Sequence, residues 1–435
     1  MTDLNSKPLN VAIIGAGVSG LTVAYLLRQH GGKTASGQDR FNIRVFEEDT
    51  RIGGHTATIP VDVNGETLHV DTGFIVYNDW TYPNFIQLLT ELGVENQPTD
   101  MTFSVSCQDT GLEYSGENLN TLFAQRKNLL SYQYWVMLSN ILRFNKQAVA
   151  DLDNGQIDPG TTLGEYLHKN NYSGLFTSHY LVPMCAAIWS ASHDMVMKMP
   201  LLFFVKFFKN HGLLSVNNRP QWRVIKGGSS QYLRPLTQQF SDCIVTASSI
   251  ESVSRTEGKV KILFKGGNVE TFDHVILACH SDQAIKLLHD ISKEESEILA
   301  SIPYKDNSVV LHTDESILPN NRKTWAAWNY HLSSKRQDAA ILTYNMNILQ
   351  GFDQPKTYCV TLNADEKIDP NQVIGKFNYA HPSFSMDSVL AQSRWSDING
   401  VNNTWFCGAY WGNGFHEDGV VSAKRVAKAL GVDWN

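Results

Sequence analysis

The first apolar run of the chain, Asn10 to Ile14 (NVAII), is short and β-rich and predicts a buried parallel strand. It passes directly into Gly15-Ala16-Gly17-Val18-Ser19-Gly20, after which Leu21 to Arg28 (LTVAYLLR) reads as a helix. A second strand is predicted over Asn42 to Phe46 (NIRVF), ending at Glu47. Residues 33–41 (KTASGQDRF) before it look like a surface insertion. Further strands are predicted over Phe272 to Ala278 (FDHVILA) and Ser308 to His312 (SVVLH). Residues 81–219 are instead rich in helical patterns and aromatic side chains, among them Tyr132, Tyr134, Trp135, Phe144 and Trp189. Within that region, residues 195–214 (MVMKMPLLFFVKFFKNHGLL) carry a dense apolar stretch after Pro200, interrupted by Lys206 and Lys209. Two readings stay open there. One is a helix in a membrane interface or lining a lipid entry channel, its lysines snorkelling to water. The other is a core helix with two exposed lysines.

Composition narrows the class. At 435 residues the chain exceeds one ordinary core and fits two interleaved domains. Its 42% hydrophobic and 18% charged residues are those of a globular protein. A net charge of −7 argues against a broad nucleic-acid surface. Six scattered cysteines without a CxxC pair suit neither a zinc site nor a disulfide framework, so no metal is expected. The polar lead MTDLNSKPLN, the glycine spacing of the first apolar run and the lack of a long uninterrupted apolar segment predict a cytoplasmic protein.

The glycine loop then supplies chemistry. Gly15 permits a tight turn, Gly17 lets a pyrophosphate approach the backbone, and Gly20 allows the helix to pack closely on the strand. Glu47, at the end of the second strand, suits ribose hydroxyls and repels a 2′-phosphate, which disfavours NADP. Strand, loop, helix and acid in that order predict dinucleotide binding.

Beyond Glu47 come Arg51-Ile52-Gly53-Gly54-His55-Thr56 and Asp71-Thr72-Gly73-Phe74. Later, Lys226-Gly227-Gly228-Ser229 precedes Tyr232-Leu233 and Leu236, and Trp405-Phe406-Cys407-Gly408 precedes Gly412 to Leu430 (GNGFHEDGVVSAKRVAKAL). Together these segments resemble the flavin amine oxidase superfamily, which includes amine oxidases, protoporphyrinogen oxidase and phytoene-type desaturases. The resemblance implies an α/β fold. A Rossmann-type FAD domain over residues 1–80, 220–300 and 395–435 would be interleaved with a mixed α+β substrate domain over 81–219 and 301–394. It implies non-covalent FAD held by the glycine loop (Gly15, Ala16, Gly17, Val18, Ser19 and Gly20), by Glu47 and Glu48, and by Gly53, Gly54, His55 and Thr56. Gly73, Phe74 and Val245 would add contacts, the last to the adenine through its backbone. Gly408, Gly414, Phe415, Gly419 and Val420 would face the flavin, where the last helix's N-terminus would stabilise the reduced anion. His55 replaces the family's arginine, so a fixed charge near the pyrophosphate is lost or becomes pH-dependent. Cys407 occupies an alanine position of the motif and is expected to be a buried core residue, not a flavin link.

For the chemistry, the resemblance singles out Tyr410, Trp411, Phe415 and His416, which flank the turn that meets the flavin. Phe415 corresponds to one wall of an aromatic cage, and His416 is the candidate for proton transfer. Glu417 or Asp418 is expected to cap the last helix. Amine oxidases carry a lysine on the strand equivalent to 308–312; here that segment has none, Lys305 falls just before it, and His312 is a candidate substitute. A bacterial subgroup associated with cyclopropane-type fatty-acyl modification is similar at GGHTAT, NHGLL, QWRVIKGGS, WNY and GFHEDG. The expected function is therefore an FAD-dependent oxidoreductase desaturating a hydrophobic, fatty-acyl or lipid substrate by hydride transfer to flavin N5. Peripheral membrane contact is expected through about 195–214. The alternatives are a peroxide-producing amine oxidase, a non-redox double-bond isomerase and a flavin-binding lipid carrier.

Overall fold

The structure is a computed structural model that describes residues 7–332 and 340–434; the first six residues of the polar lead lie outside them. The glycine loop leaves a five-stranded parallel sheet of order Ile244–Val245, Phe41–Phe46, Leu9–Ile14, His274–Leu277 and Thr404–Phe406. In the central strand, Val11 and Ile13 enter a core shared with the helices Val18–His30 and His416–Ala429. Ala12 and Ile14 enter the opposite core, built with the antiparallel meander Ile250–Thr256, Lys259–Phe264 and Val269–Phe272. Burial on both faces is why this strand reads as one continuous apolar run instead of an alternating one. The first helix begins at Val18, three residues earlier than its apolar pattern suggests, because the glycine loop itself folds into the first turn with Gly17 as the N-cap. Cys407 lies fully buried in the helix-side core.

A second, seven-stranded mixed sheet has the order Val373–Pro382, Tyr304–His312, Cys359–Leu362, Ile341–Asn345, Trp328–Leu332, Phe103–Cys107 and Glu113–Ser115. The parallel pairing of Phe103–Cys107 with Trp328–Leu332 brings segments from far apart in the chain into one sheet. Trp222–Ile225 pairs with Val76–Asn78 and Asn96–Thr99, so this sheet joins segments expected in the FAD domain to one expected in the substrate domain, across the expected boundaries at 80 and 220. The strand expected at 308–312 runs from Tyr304 and is nine residues long.

A helical layer covers this second sheet, and here the two readings of 195–214 separate. The segment forms two helices, His193–Met197 and Leu201–Asn210. Leu201, Phe204, Val205, Phe207 and Phe208 are at most 5% exposed and belong to the core, with Lys206 exposed. The apolar face is therefore used internally, which corrects the membrane-interface reading of this segment. Among the described residues no helix is long and apolar enough to cross a membrane.

Candidate functional site

The site begins where the glycine loop meets the Gly53–Thr56 segment. Gly15 has φ +104°, and a Cβ there would stand 2.8 Å from the Ala278 carbonyl oxygen. A Cβ on Gly20 would lie 1.9 Å from the Gly15 carbonyl oxygen, so the first helix can approach the strand only without one. A Cβ on Gly17 would meet nothing within 4 Å. That open flank at a helix N-terminus is the cradle a pyrophosphate requires. Gly53 pairs with Gly17 in an isolated parallel bridge and donates its N–H to the Ala16 carbonyl at 2.8 Å. A Cβ on Gly54 would lie 3.3 Å from Gly17 Cα, so the two glycine motifs lie backbone against backbone. Glu47 accepts the Ala16 N–H at 2.7 Å and the Asp49 N–H at 3.0 Å, fixing its carboxylate at the loop; Glu48 is exposed. Gly17, Gly54, His55, Gly412 and Gly414 keep partial exposure although they sit between large cores. These features fit FAD, which Gly15 to Gly20, Glu47, Gly53 and Gly54 would hold. Val245 differs from expectation: its carbonyl accepts the Glu47 N–H at 2.9 Å as a rung of the parallel sheet, so that oxygen is not offered to an adenine.

The last helix meets the same junction, and several expected roles change there. His416 stacks on Phe74 with ring centroids 3.5 Å apart, and its Nε2 lies 3.0 Å from Thr56 Oγ1 and 3.3 Å from the Tyr232 hydroxyl. Thr56 Oγ1 and the Tyr232 hydroxyl are themselves 2.6 Å apart. Burial pushes the imidazole down to about 3, so it is neutral at physiological pH. His416 is thus a buried brace between the Gly53–Thr56 segment and the last helix, which corrects its assignment to proton transfer. Gly73 supports the same brace from behind, since a Cβ on it would lie 2.1 Å from the His55 carbonyl oxygen.

Tyr410 is 1% exposed and packs against Gly408, where a Cβ would stand 2.3 Å from its ring. It is a core residue, not a catalytic one. Val420 is fully buried in the helix-side core, so its side chain does not face a flavin. Gly419 lets the two helix N-termini cross closely: a Cβ there would lie 2.8 Å from Val18 Cγ1 and 2.9 Å from Ser19 Oγ. Asp418 accepts the Phe415 N–H at 2.9 Å, and burial raises its carboxyl to about 6. Glu417 caps a different helix, Pro83–Glu91, accepting the N–H groups of Asn84 at 3.2 Å and Phe85 at 2.8 Å.

Phe415 keeps its expected position. It stacks on Phe207 at 5.3 Å, from which Trp189, Phe203 and Phe384 continue at ring separations of 4.6, 5.6 and 5.2 Å. This aromatic wall returns to the same turn, because Trp189 Nε1 donates to the Asn413 carbonyl at 3.1 Å and Phe384 flanks Gly414.

Opposite these groups lies a histidine cluster that sequence patterns do not mark. His55 has ring centroids 5.5 Å from His381 and 5.8 Å from His280. Burial, then the neighbouring His381, His280 and His416, hold His55 well below its ordinary value. Its Nε2 donates to the Ala380 carbonyl at 3.1 Å, and of the two outcomes expected for the replaced arginine, a charge lost or a charge made pH-dependent, its burial favours the first. Arg51 is the cation nearby, donating to the Gly54 carbonyl at 2.8 Å and the Thr56 carbonyl at 3.2 Å.

The proton on His381 follows from backbone groups that have no choice of role. The Ser308 N–H must donate, to Asn363 Oδ1 at 3.2 Å, and the Ala340 carbonyl must accept, from Asn363 Nδ2 at 2.9 Å. Asn363 Nδ2 therefore also donates to Asn307 Oδ1, at 2.9 Å. That turns Asn307 Nδ2 toward His381 Nδ1, 3.3 Å away, as a donor. Ser190 Oγ meets the same Nδ1 at 3.1 Å, from a backbone held at φ +51°. With Nδ1 accepting, neutral His381 carries its hydrogen on Nε2, the nitrogen left to meet a ligand. Burial, with His280 beside it, pushes His381 down to about 4. Lys305 stands opposite His381 across the antiparallel strands, so the strand is not free of lysine as its 308–312 portion suggested. His312 is fully buried and bonded to Thr361 Oγ1 at 2.8 Å, a structural residue of the sheet interior and no substitute for that lysine.

Known proteins share this fold. Residues 18–339 match the family model described as flavin containing amine oxidoreductase. Amine oxidase [flavin-containing] A of Canis lupus familiaris is 23% identical over 300 residues, 64% of this chain and 49% of that protein. The chain thus spans about half the length of the curated relatives it matches. Among solved structures, cyclohexylamine oxidase from Brevibacterium oxydans IH-35A matches with TM-score 0.66 and 16% identity, covering 98% of this chain and 99% of that one. The CLA-producing fatty acid isomerase from P. acnes matches with TM-score 0.70 and 15% identity, covering 98% of this chain and 100% of that one. With three quarters of its length on the family model and the glycine motifs built into one cradle, the chain belongs to the flavin-containing amine oxidoreductase family and takes FAD as its cofactor.

Proposed function

We propose that this protein is an FAD-dependent oxidoreductase that removes hydrogen from a hydrophobic, fatty-acyl substrate. The reading is supported above all by the aromatic cluster of Phe415, Phe207, Trp189, Phe203 and Phe384, whose half-buried members Phe415 and Phe203 offer an alkyl chain apolar contact beside the cofactor cradle. Bound FAD supplies the two-electron acceptor. The protein's own part is orientation and exclusion of water. The His416–Thr56–Tyr232 brace fixes the last helix against the cradle, and the cores on either side keep the junction dry. His381 presents an Nε2–H donor, suited to an oxygen acceptor on the substrate or cofactor.

Oxidation of an amine is the second reading, favoured by Lys305 on the strand beside His381. Anaerobic mixing separates the two. Phospholipids bearing unsaturated or cyclopropane acyl chains are expected to bleach the flavin, while benzylamine and putrescine leave it oxidised. Bleaching by amines alone overturns the acyl reading. Conversion of the lipid without bleaching converts it to double-bond isomerisation.

A further inference from the structure

We propose that the face formed by residues 119–146 docks this protein on an anionic lipid bilayer. Six of the thirteen large hydrophobic side chains exposed among the described residues fall between 119 and 142. Leu130 is 93% exposed, Tyr132 81% and Leu119 75%, with Leu142, Trp135 and Leu129 next to them in the chain and also exposed. They form one surface. In the helix Tyr132–Asp153 the exposed positions 132, 135, 139, 142, 143 and 146 recur at helical spacing, while Tyr134, Met137, Phe144 and Ala148 hold the opposite face in the core. The segment before the helix is tied to it, since Trp135 Nε1 donates to the Leu129 carbonyl at 2.9 Å and the Trp135 ring lies 5.2 Å from Phe123.

Charge identifies the occupant. Residues 118–150 contain Arg126, Lys127, Arg143 and Lys146 and not one Asp or Glu, in a chain whose net charge is −7. All four cations are exposed. Exposed leucine, tyrosine and tryptophan side chains ringed by cations are the composition of a surface that enters a headgroup layer while lysines and arginines meet lipid phosphates. A second copy fits less well, because a two-fold contact through this face would bring two sets of four cations together. The surface is separate from the buried face of the 195–214 helices, formed by Leu201, Phe204, Val205, Phe207 and Phe208. The inference is also independent of the substrate, since an enzyme acting on a soluble amine could dock in the same way.

The test is vesicle flotation of the full-length flavin-loaded protein. Vesicles of phosphatidylcholine with phosphatidylglycerol are expected to carry it, and pure phosphatidylcholine to carry much less, with binding weakening as salt rises. Lys127→Glu with Lys146→Glu is expected to lower partitioning by at least about fivefold per lysine. Leu130→Ser with Trp135→Ser is expected to lower it on the order of tenfold. Lys261→Glu, an exposed change on the meander, is expected to leave it unaltered. Flavin absorbance and circular dichroism report that each variant is folded. Absence of binding to anionic vesicles, or equal binding by the charge-reversed and native proteins, overturns the proposal. So does a concentration-dependent dimer that these same variants abolish, which would assign the face to a second copy.

Discussion

Gly17 and Gly20 stand three residues apart and carry opposite loads. Nothing lies within 4 Å of a Cβ on Gly17, whereas one on Gly20 would enter the Gly15 carbonyl. Gly17→Val is therefore expected to yield folded, colourless protein, with a melting curve close to that of the apoprotein and no flavin absorbance. Gly20→Ala is expected to destabilise the fold by roughly 3 kcal/mol or more, since backbone must move to admit the methyl group. A yellow Gly17→Val protein would contradict the cradle. Asn307 permits a finer test. Asn307→Asp removes the amide donor to His381 Nδ1 and substitutes a carboxylate, so the histidine's ionisation is expected to rise from about 4 toward about 6. Its titration, followed by NMR, should move with it, and an unchanged titration would show that Asn307 does not set its proton. The glycine loop and Glu47 were legible in the sequence because their chemistry is local to one strand–loop–helix unit. His381 was not, because its role arises from the register of the strands Tyr304–His312 and Val373–Pro382, and neither composition nor periodicity records that pairing.

At the scale of elements, the last helix is held by contacts the sequence only half discloses. An acid in its first turn was legible as a cap; that Glu417 caps the neighbouring helix Pro83–Glu91 depends on tertiary packing. Its carboxylate serves the Asn84 side chain at 2.7 Å as well as two backbone donors, thereby tying both helices to the His416 brace. Glu417→Ala is expected to cost about 1–2 kcal/mol, as loss of an N-cap does, and to weaken flavin retention because the helix beneath the site loosens. Glu417→Gln, which keeps one acceptor oxygen, should recover part of the loss. Thermal melts with and without added FAD check both outcomes; equal stability of the alanine variant would sink the cap. The segment 195–214 shows the limit of pattern from the other side. Its apolar density was plain in the sequence, but a buried helix and an interfacial one present the same residues, and only the packing of Phe204, Phe207 and Phe208 decides between them.

Across the whole molecule, the interleaving of two sheets buries many histidines in neutral form, and this dictates how the fold responds to acid. Burial holds His211, His312, His331 and His381 down to about 4 and His416 to about 3. Above the ordinary value of 6.5 these side chains are neutral whether the chain is folded or not, and their stabilising effect is complete. As pH falls below 6.5 the unfolded chain takes up protons that the native protein refuses, so stability is lost until the native groups titrate near 4 to 3. Each histidine contributes a slope of up to about 1.4 kcal/mol per pH unit. Two carboxylates act in the opposite sense. Asp71 and Asp418, raised by burial to about 6, bind protons more readily when folded and so stabilise the protein as it is acidified. These five against the two carboxylates leave a net loss of roughly 4 kcal/mol per pH unit near pH 5, and His55, His179, His274 and His280, also held low by burial, act in the same direction, so most of a typical folding free energy would disappear within one or two units. Urea unfolding followed by tryptophan fluorescence is therefore expected to show a midpoint that is steady from pH 8 to 7 and falls steeply between pH 6 and 4.5. A midpoint that stays flat down to pH 5 would mean the native protein accepts those protons, and the neutral histidine interior that positions the site would have to be abandoned.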